Sequence, residues 1–175
     1  MIELRELQRG EIELVRGLDR RELIERLYYL EEGALVLRPE RYDMQGWPPG
    51  ELEGIIASLV ACHSQGGWLG GLFDGERLIG VAALGSRLIG PERDQLQLVF
   101  LNVSHGYRDQ GHGAHLFEAA RAVARQRGAR ALYVSATPSE HTVGFYLARG
   151  CRLNPTPDPE LFAEEPEDIH LICEV

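Results

Sequence analysis

The chain opens on IELREL, Ile2 to Leu7, where apolar and polar positions alternate as in a strand with one buried face. From there to Glu32 the residues Leu14, Leu18, Leu23 and Leu27 recur at helical spacing, which predicts a first helical region. The stretch RPERYDMQGWPPG, Arg38 to Gly50, is dense in turn formers and aromatics and reads as a connecting loop. A second helix is predicted from Leu52, Ile55, Ile56, Leu59 and Val60, which share one apolar stripe, with Gly66 and Gly67 ending it.

In WLGGLFDGERLIGVAAL, Asp74 and Gly75 separate two apolar runs, the mark of a tight antiparallel hairpin. Gln95 to Val103 is apolar on both faces and predicts a long central strand. From Gly113 to Arg127 the residues Leu116, Phe117, Ala120, Val123 and Ala124 share a face, so a third helix follows, stopped by Gly128. ALYVSAT is a short buried strand, TVGFYLARG a short helix closed by Gly150, and CRL the start of another strand. The tail begins as an acidic, proline-broken loop and ends in a β-like run from Ile169 to Val175.

The length of 175 residues suits one domain over residues 1–175 with its own core, and no apolar run approaches the roughly 20 residues of a membrane-spanning helix. The opening mixes acids with arginines and lacks the apolar core of a secretory signal, so the expected compartment is the cytoplasm. Cys62, Cys151 and Cys173, widely spaced, fit neither a disulfide framework nor a metal site and read as buried thiols. His112 and His115 are one turn apart but lack a third ligand, so no metal is expected. A net charge of −9 argues against nucleic acid as a partner. All 18 basic residues are arginine, which excludes a lysine-bearing phosphate loop and Schiff-base chemistry.

Strand, then Arg108-x-x-Gly111-x-Gly113, then helix, is a physical recipe for holding a pyrophosphate: the loop exposes backbone N–H groups and the helix N-terminus adds partial positive charge. A plain glycine-rich turn is the alternative at this spacing. A dinucleotide fingerprint fits less well, because Leu116 takes the place of its third glycine.

The segment Val103-Ser104-His105-Gly106-Tyr107-Arg108-Asp109-Gln110-Gly111-His112-Gly113 resembles the V-x-P-x-Y-R-x-x-G-x-G segment of the GCN5-related N-acetyltransferases, with His105 where proline is common. Tyr146-Leu147-Ala148-Arg149-Gly150-Cys151 resembles that family's Y-x-x-x-G-F, with cysteine for phenylalanine. The resemblance covers nearly the whole chain. It implies an α/β (α+β) fold: a central mixed, mostly antiparallel, twisted sheet of about seven strands flanked by about four helices. It also implies acetyl-CoA as co-substrate, with Leu101 and Val103 serving the pantetheine arm. Arg108, Asp109, Gln110, Gly111, His112, Gly113 and Ala114 would then serve the phosphates. Ser139 falls where the family often has a cofactor-contacting asparagine, although a helix cap suits it equally.

By the same resemblance Tyr146 is the proton donor to the departing thiolate, the alternative being a core tyrosine. The usual basic glutamate of histone-type relatives is replaced by Gln97, which cannot take a proton, so water, His170, Glu40, Asp43 or an already neutral amine must serve. His63, His105, His112, His115 and His141 read as solvent-facing or packing residues.

The implied activity is N-acetyl transfer to a primary amine through a ternary complex. The expected acceptor is a small-molecule amine or peptide amine, cationic in character, with no nucleic acid, no membrane and a homodimer left open. Tyr28, Tyr29, Tyr42 and Trp47 lie in the parts that form the family's acceptor end. From Leu153 onward there are seven acidic residues and no arginine, which attracts cations or is a solvated acidic loop. Two other readings stand beside this one: an acyl-CoA-binding sensor without turnover, which Gln97 permits, and a nucleotide-binding protein using the same glycine loop.

Overall fold

In the computed structural model, which describes residues 1–175, β1 (Ile2–Glu6) leads into a 3-10 segment (Arg9–Gly17) and then β2 (Glu22–Glu31) and β3 (Ala34–Met44). Next come α1 (Glu51–Ser64), β4 (Trp68–Asp74), β5 (Arg77–Leu84) and β6 (Gln95–Val103). A 3-10 turn (His105–Tyr107) precedes α2 (His112–Gln126), β7 (Ala131–Ala136) and α3 (Glu140–Leu147), and β8 (Arg152–Leu153), α4 (Pro159–Glu164) and β9 (Ile169–Glu174) complete the chain. Seven strands form one sheet in the order β1-β4-β5-β6-β7-β9-β8, while β2 and β3 pair only with each other. Every neighbouring pair in the large sheet is antiparallel except β6 and β7. The mixed, mostly antiparallel sheet with four helices matches the fold class expected from the sequence.

Each face of the sheet has its own core. On one side Leu116, Phe117, Ala120 and Ala124 of α2 and Val143 and Tyr146 of α3 pack on Leu96, Leu132 and Val134. On the other, Ile12 and Val15 of the 3-10 segment and Ile56 and Leu59 of α1 pack on Leu69, Phe73, Val81 and Ala83. The period-2 alternation of each strand makes this division: along β7, Leu132, Val134 and Ala136 point to the α2/α3 side.

Three expectations are corrected. The predicted first helix is a short 3-10 segment followed by β2, because the leucine spacing combines two elements: Leu14 and Leu23 are exposed while Ile12, Val15 and Ile24 are buried. The predicted loop after Arg38 is largely β3. Glu32 and Gly33, with φ of 49° and 79°, supply the two left-handed residues of a tight hairpin turn between β2 and β3. Pro39, lacking an N–H, is tolerated in β3 beside the register shift and on a strand with one open side. Cys151 and Cys173 form a disulfide, leaving Cys62 as the free, buried thiol. Linear spacing does not reveal that pair, because β8 meets β9 through sheet order rather than through sequence proximity. The tail also holds α4, started by Asp158, whose carboxylate accepts from the Glu160 and Leu161 amides with Pro159 in the first turn.

Phe117 is fully buried and meets the Phe145 and Tyr146 rings edge-on, at centroid distances of 6.0 and 5.8 Å. Phe117→Ala is expected to destabilise the protein by about 3–5 kcal/mol in urea unfolding, through lost burial and a residual cavity. A loss below about 1 kcal/mol would mean that α2 and α3 are not jointly anchored there.

Candidate active site

β6 and β7 pair only from Gln95 opposite Ala131 to Leu98 opposite Val134. Beyond that point β7 stays with β9, placing Ser135 opposite His170, while β6 stays with β5 as far as Val103 opposite Gly80. The strands diverge, and a cleft of about 430 Å³ opens between them. The β5 register slips between Leu98 and Phe100, so Val99 is the extra residue of a bulge at the start of the divergence. The inner edge of β6 from Val99 to Val103 has no strand partner there, and an extended amide-bearing molecule can pair with such an edge.

The glycine loop closes one end of this gap. Asp109 and Gly111 both have left-handed φ, 59° and 85°, and Gly111 is the N-cap of α2, so successive amides are turned toward the helix N-terminus. Gly113 has a different task. A Cβ there would stand 3.1 Å from Cε2 of Phe145, so its absence lets α2 approach α3. The loop is braced from three sides. The Asp19 amide donates to Ser104 Oγ at 2.8 Å and the His105 amide to the Asp19 carbonyl at 2.9 Å. Tyr107 donates its hydroxyl to Asp74 at 2.9 Å, and the Arg108 guanidinium donates back to the Val103 and Arg21 carbonyls at 2.9 and 3.1 Å. Burial holds that guanidinium below the usual arginine range.

Of the residues singled out from the sequence, Leu101, Val103, Arg108, Asp109, Gly111, Gly113, Ala114 and Tyr146 all line the cleft. Gln110, His112 and Ser139 do not. Ser139 caps α3: its hydroxyl accepts from the Thr142 amide and donates to the Thr142 hydroxyl. Tyr146 is buried between Phe117 and Phe145, and desolvation holds its phenol well above the usual value.

Gln97, Glu40, Asp43 and His170 lie outside the cleft lining. Glu40 accepts from Tyr29 and Asp43 from Gln45, both on the β2–β3 side. Of the four aromatics placed at the acceptor end, Trp47 alone reaches the cleft, with its indole N–H donating to the Leu18 carbonyl at 3.2 Å. The lining also contains Arg20, Glu22, Glu51, Asn102, Ser135 and Glu165, which the sequence reading did not single out, and Ile55, named there only for the apolar stripe of the second helix. Arg20 and Glu22 form an ion pair at 2.6 Å, both side chains 12% exposed. The signal for Glu22 and Glu51 was faint: one begins a strand inside an apparent helix, and the other follows Pro-Pro-Gly like any first-turn acid.

A sheet split between two parallel neighbours, with helix-terminal amides closing one end of the gap, defines an acetyltransferase architecture. The model of the acetyltransferase (GNAT) family matches residues 24–151, and the chain belongs to that family. Its structure is similar to nourseothricin acetyltransferase at 17% identity and a TM-score of 0.72, covering 99% of this chain and 98% of that one. It is similar to PaiA N-acetyltransferase from Thermoplasma acidophilum in complex with coenzyme A, at 16% identity and a TM-score of 0.66, with 100% and 99% covered. It is also similar to N-acetylglutamate synthase from Neisseria gonorrhoeae complexed with coenzyme A and N-acetylglutamate, at 21% identity and a TM-score of 0.61, with 99% of this chain and 35% of that one covered. No curated protein matches the sequence. No helix is long and apolar enough to cross a membrane.

Asp168, just ahead of β9, has its carboxyl pushed up to about 7 by burial and by Glu165 and Glu167. An unfolded aspartate titrates near 4, so the folded chain binds the extra proton between about pH 4 and 7 and loses stability as pH rises through that window. Asp168→Asn is expected to melt higher than the parent above pH 7 and to match it near pH 3, read by thermal unfolding across pH. A second expectation concerns the loop: Gly111→Val, strained at its positive φ and filling the space before the amides, is expected to lose coenzyme A binding in calorimetry. Unchanged affinity would remove the loop from the site.

Proposed function

We propose that residues 1–175 act as a single N-acetyltransferase domain that moves the acetyl group of acetyl-CoA to a small, cationic primary amine within a ternary complex. The observation that carries this reading is that the cleft passes through the sheet. Phe145 and Tyr146 line it from the α3 side, while Glu51 and Ile55 line it from the α1 side. In this reading the donor approaches from the α3 side and the acceptor from the α1 side, on either side of the gap beside Val99.

Acetyl-CoA supplies the acetyl group. The free edge of β6 at Leu101 and Val103 is suited to pair with the pantetheine amides, and the amides from Asp109 to Ala114 to hold the pyrophosphate. The acceptor nitrogen forms the new C–N bond as the C–S bond breaks, and Tyr146 gives its proton to the sulfur. Its raised pKa keeps the phenol protonated until that moment, and the burial that raises it also makes an unprotonated thiolate costly in the same place. On the α1 side Glu22 is paired with Arg20, whose guanidinium lies 6.0 Å over the Trp47 ring, so the negative charge left to meet a cationic acceptor comes from Glu51 and Glu165.

Two measurements test this. Thiol release with acetyl-CoA is expected with polyamines, aminoglycosides, amino acids or peptide amines, and preference for an anionic or neutral acceptor would overturn the charge argument. Gln97 favours the rival reading, a module that binds acyl-CoA without turnover, and steady thiol release with any amine excludes it. Tyr146→Phe is expected to leave coenzyme A affinity intact and slow turnover by roughly 10²-fold or more, as for a lost general acid. Full activity would make Tyr146 a packing residue.

A further inference from the structure

Gln97 leaves the acceptor's ammonium without a base on β6. The next strand offers one. Ser135 lines the cleft from β7, and His170 sits directly opposite it on β9, 5% exposed. Alternation puts both on the α1 face, since their neighbours Val134, Ala136, Ile169 and Leu171 belong to the α2/α3 core. His170 Nε2 lies 2.9 Å from the Glu165 carbonyl, which can only accept, so Nε2 carries a hydrogen. In the neutral ring the Nδ1 lone pair then faces two hydroxyls, Tyr133 at 2.6 Å and Ser135 at 3.4 Å.

We propose that Ser135 and His170 together replace the missing carboxylate, Ser135 as the catalytic group that touches the amine and His170 as the residue acting through it. This rests on the N-acetyltransferase reading above. One N–H bond of the ammonium breaks as its proton passes to Ser135 Oγ, and the serine's own hydrogen passes to His170 Nδ1. The nitrogen lone pair is freed for attack, and the positive charge ends on the imidazole. There the ring donates from Nε2 to the Glu165 carbonyl, and from Nδ1 to the Tyr133 oxygen once the phenol hydrogen that Nδ1 accepts in the neutral ring has rotated away; that oxygen also accepts from the Asp158 amide at 3.2 Å. The groups that surround the ring are Tyr133 and Ser135 on β7, Asp158 behind Tyr133, Glu165 and Asp168 on the preceding loop, and the Phe162 ring of α4 at 5.2 Å. None of these is a cation. The proton leaves to solvent after turnover.

The test is the pH profile of kcat/KM by thiol release, with acetyl-CoA and whichever amine of the panel reacts fastest, for the parent, Ser135→Ala, Ser135→Thr and His170→Asn. The parent is expected to level off well below the amine's own pKa of about 10.4. Ser135→Ala is expected to lose about 10²-fold at pH 7, to keep rising with pH, and to approach the parent near pH 10, with the KM for acetyl-CoA unchanged. Ser135→Thr, which returns the hydroxyl, restores most of that loss, and combining Ser135→Ala with His170→Asn costs little more than either alone because the two act as a unit. Should His170→Asn fail to fold, the serine variants decide the matter alone. A Ser135→Ala profile parallel to that of the parent at every pH overturns the relay while leaving the acetyltransferase standing. A parent that acetylates no amine overturns both.

Discussion

The separation of β6 from β7 after Leu98 and Val134 is the constraint on which the rest of the molecule depends. These are the only parallel neighbours in the sheet, and each keeps a second partner that holds it while they part: β5 for β6 and β9 for β7. The gap therefore costs little pairing, because each strand remains hydrogen-bonded on its outer edge. The bulge at Val99 turns β6 outward at the same point, and α2 and its loop fill in beyond the strand end. Without those outer partners the free edge would be a site for aggregation rather than for a ligand.

Much of this was legible in the residues because local physics decides it. The apolar run from Gln95 to Val103, the left-handed glycine at Gly111 and the stripe from Leu116 to Ala124 each have one favourable local solution, and each formed as expected. The first third of the chain did not yield in the same way. Leu14, Leu18, Leu23 and Leu27 satisfy a helical period, but Ile12, Val15 and Ile24 carry the burial, and the turn that separates the strands is a quiet Glu32-Gly33 rather than Asn-Gly. Tertiary packing overrode a periodicity that was real but incidental.

The site divided along the same line. Residues on the loop and on α3 that the motif carried, Arg108, Asp109, Gly111, Gly113 and Tyr146, are at the cleft because their positions follow from the element they belong to. Glu22, Glu51, Ser135 and Glu165 reach it from four different segments, and only the sheet order and the packing of α1 bring them together. The Cys151–Cys173 pair was hidden for the same reason. Contacts made by topology leave no trace in spacing.

The sheet also separates the two groups of hydroxyl-bearing and ionisable side chains around the gap. Tyr146 belongs to the core shared by α2 and α3, whereas Ser135, Tyr133 and His170 project from the other face of the same strands. A one-residue slip in β7 would exchange these faces, sending Ser135 into an apolar core and Val134 to the α1 side of the gap. The pairing of β7 with β9 over all six residues, Ala131 to Ala136, guards against that slip. The same register that buries Leu132 and Val134 thus keeps the Tyr146 phenol on one side of the gap and the Tyr133 and Ser135 hydroxyls on the other. In the proposed reaction, thiol and amine then meet groups of opposite purpose from the two faces of one sheet.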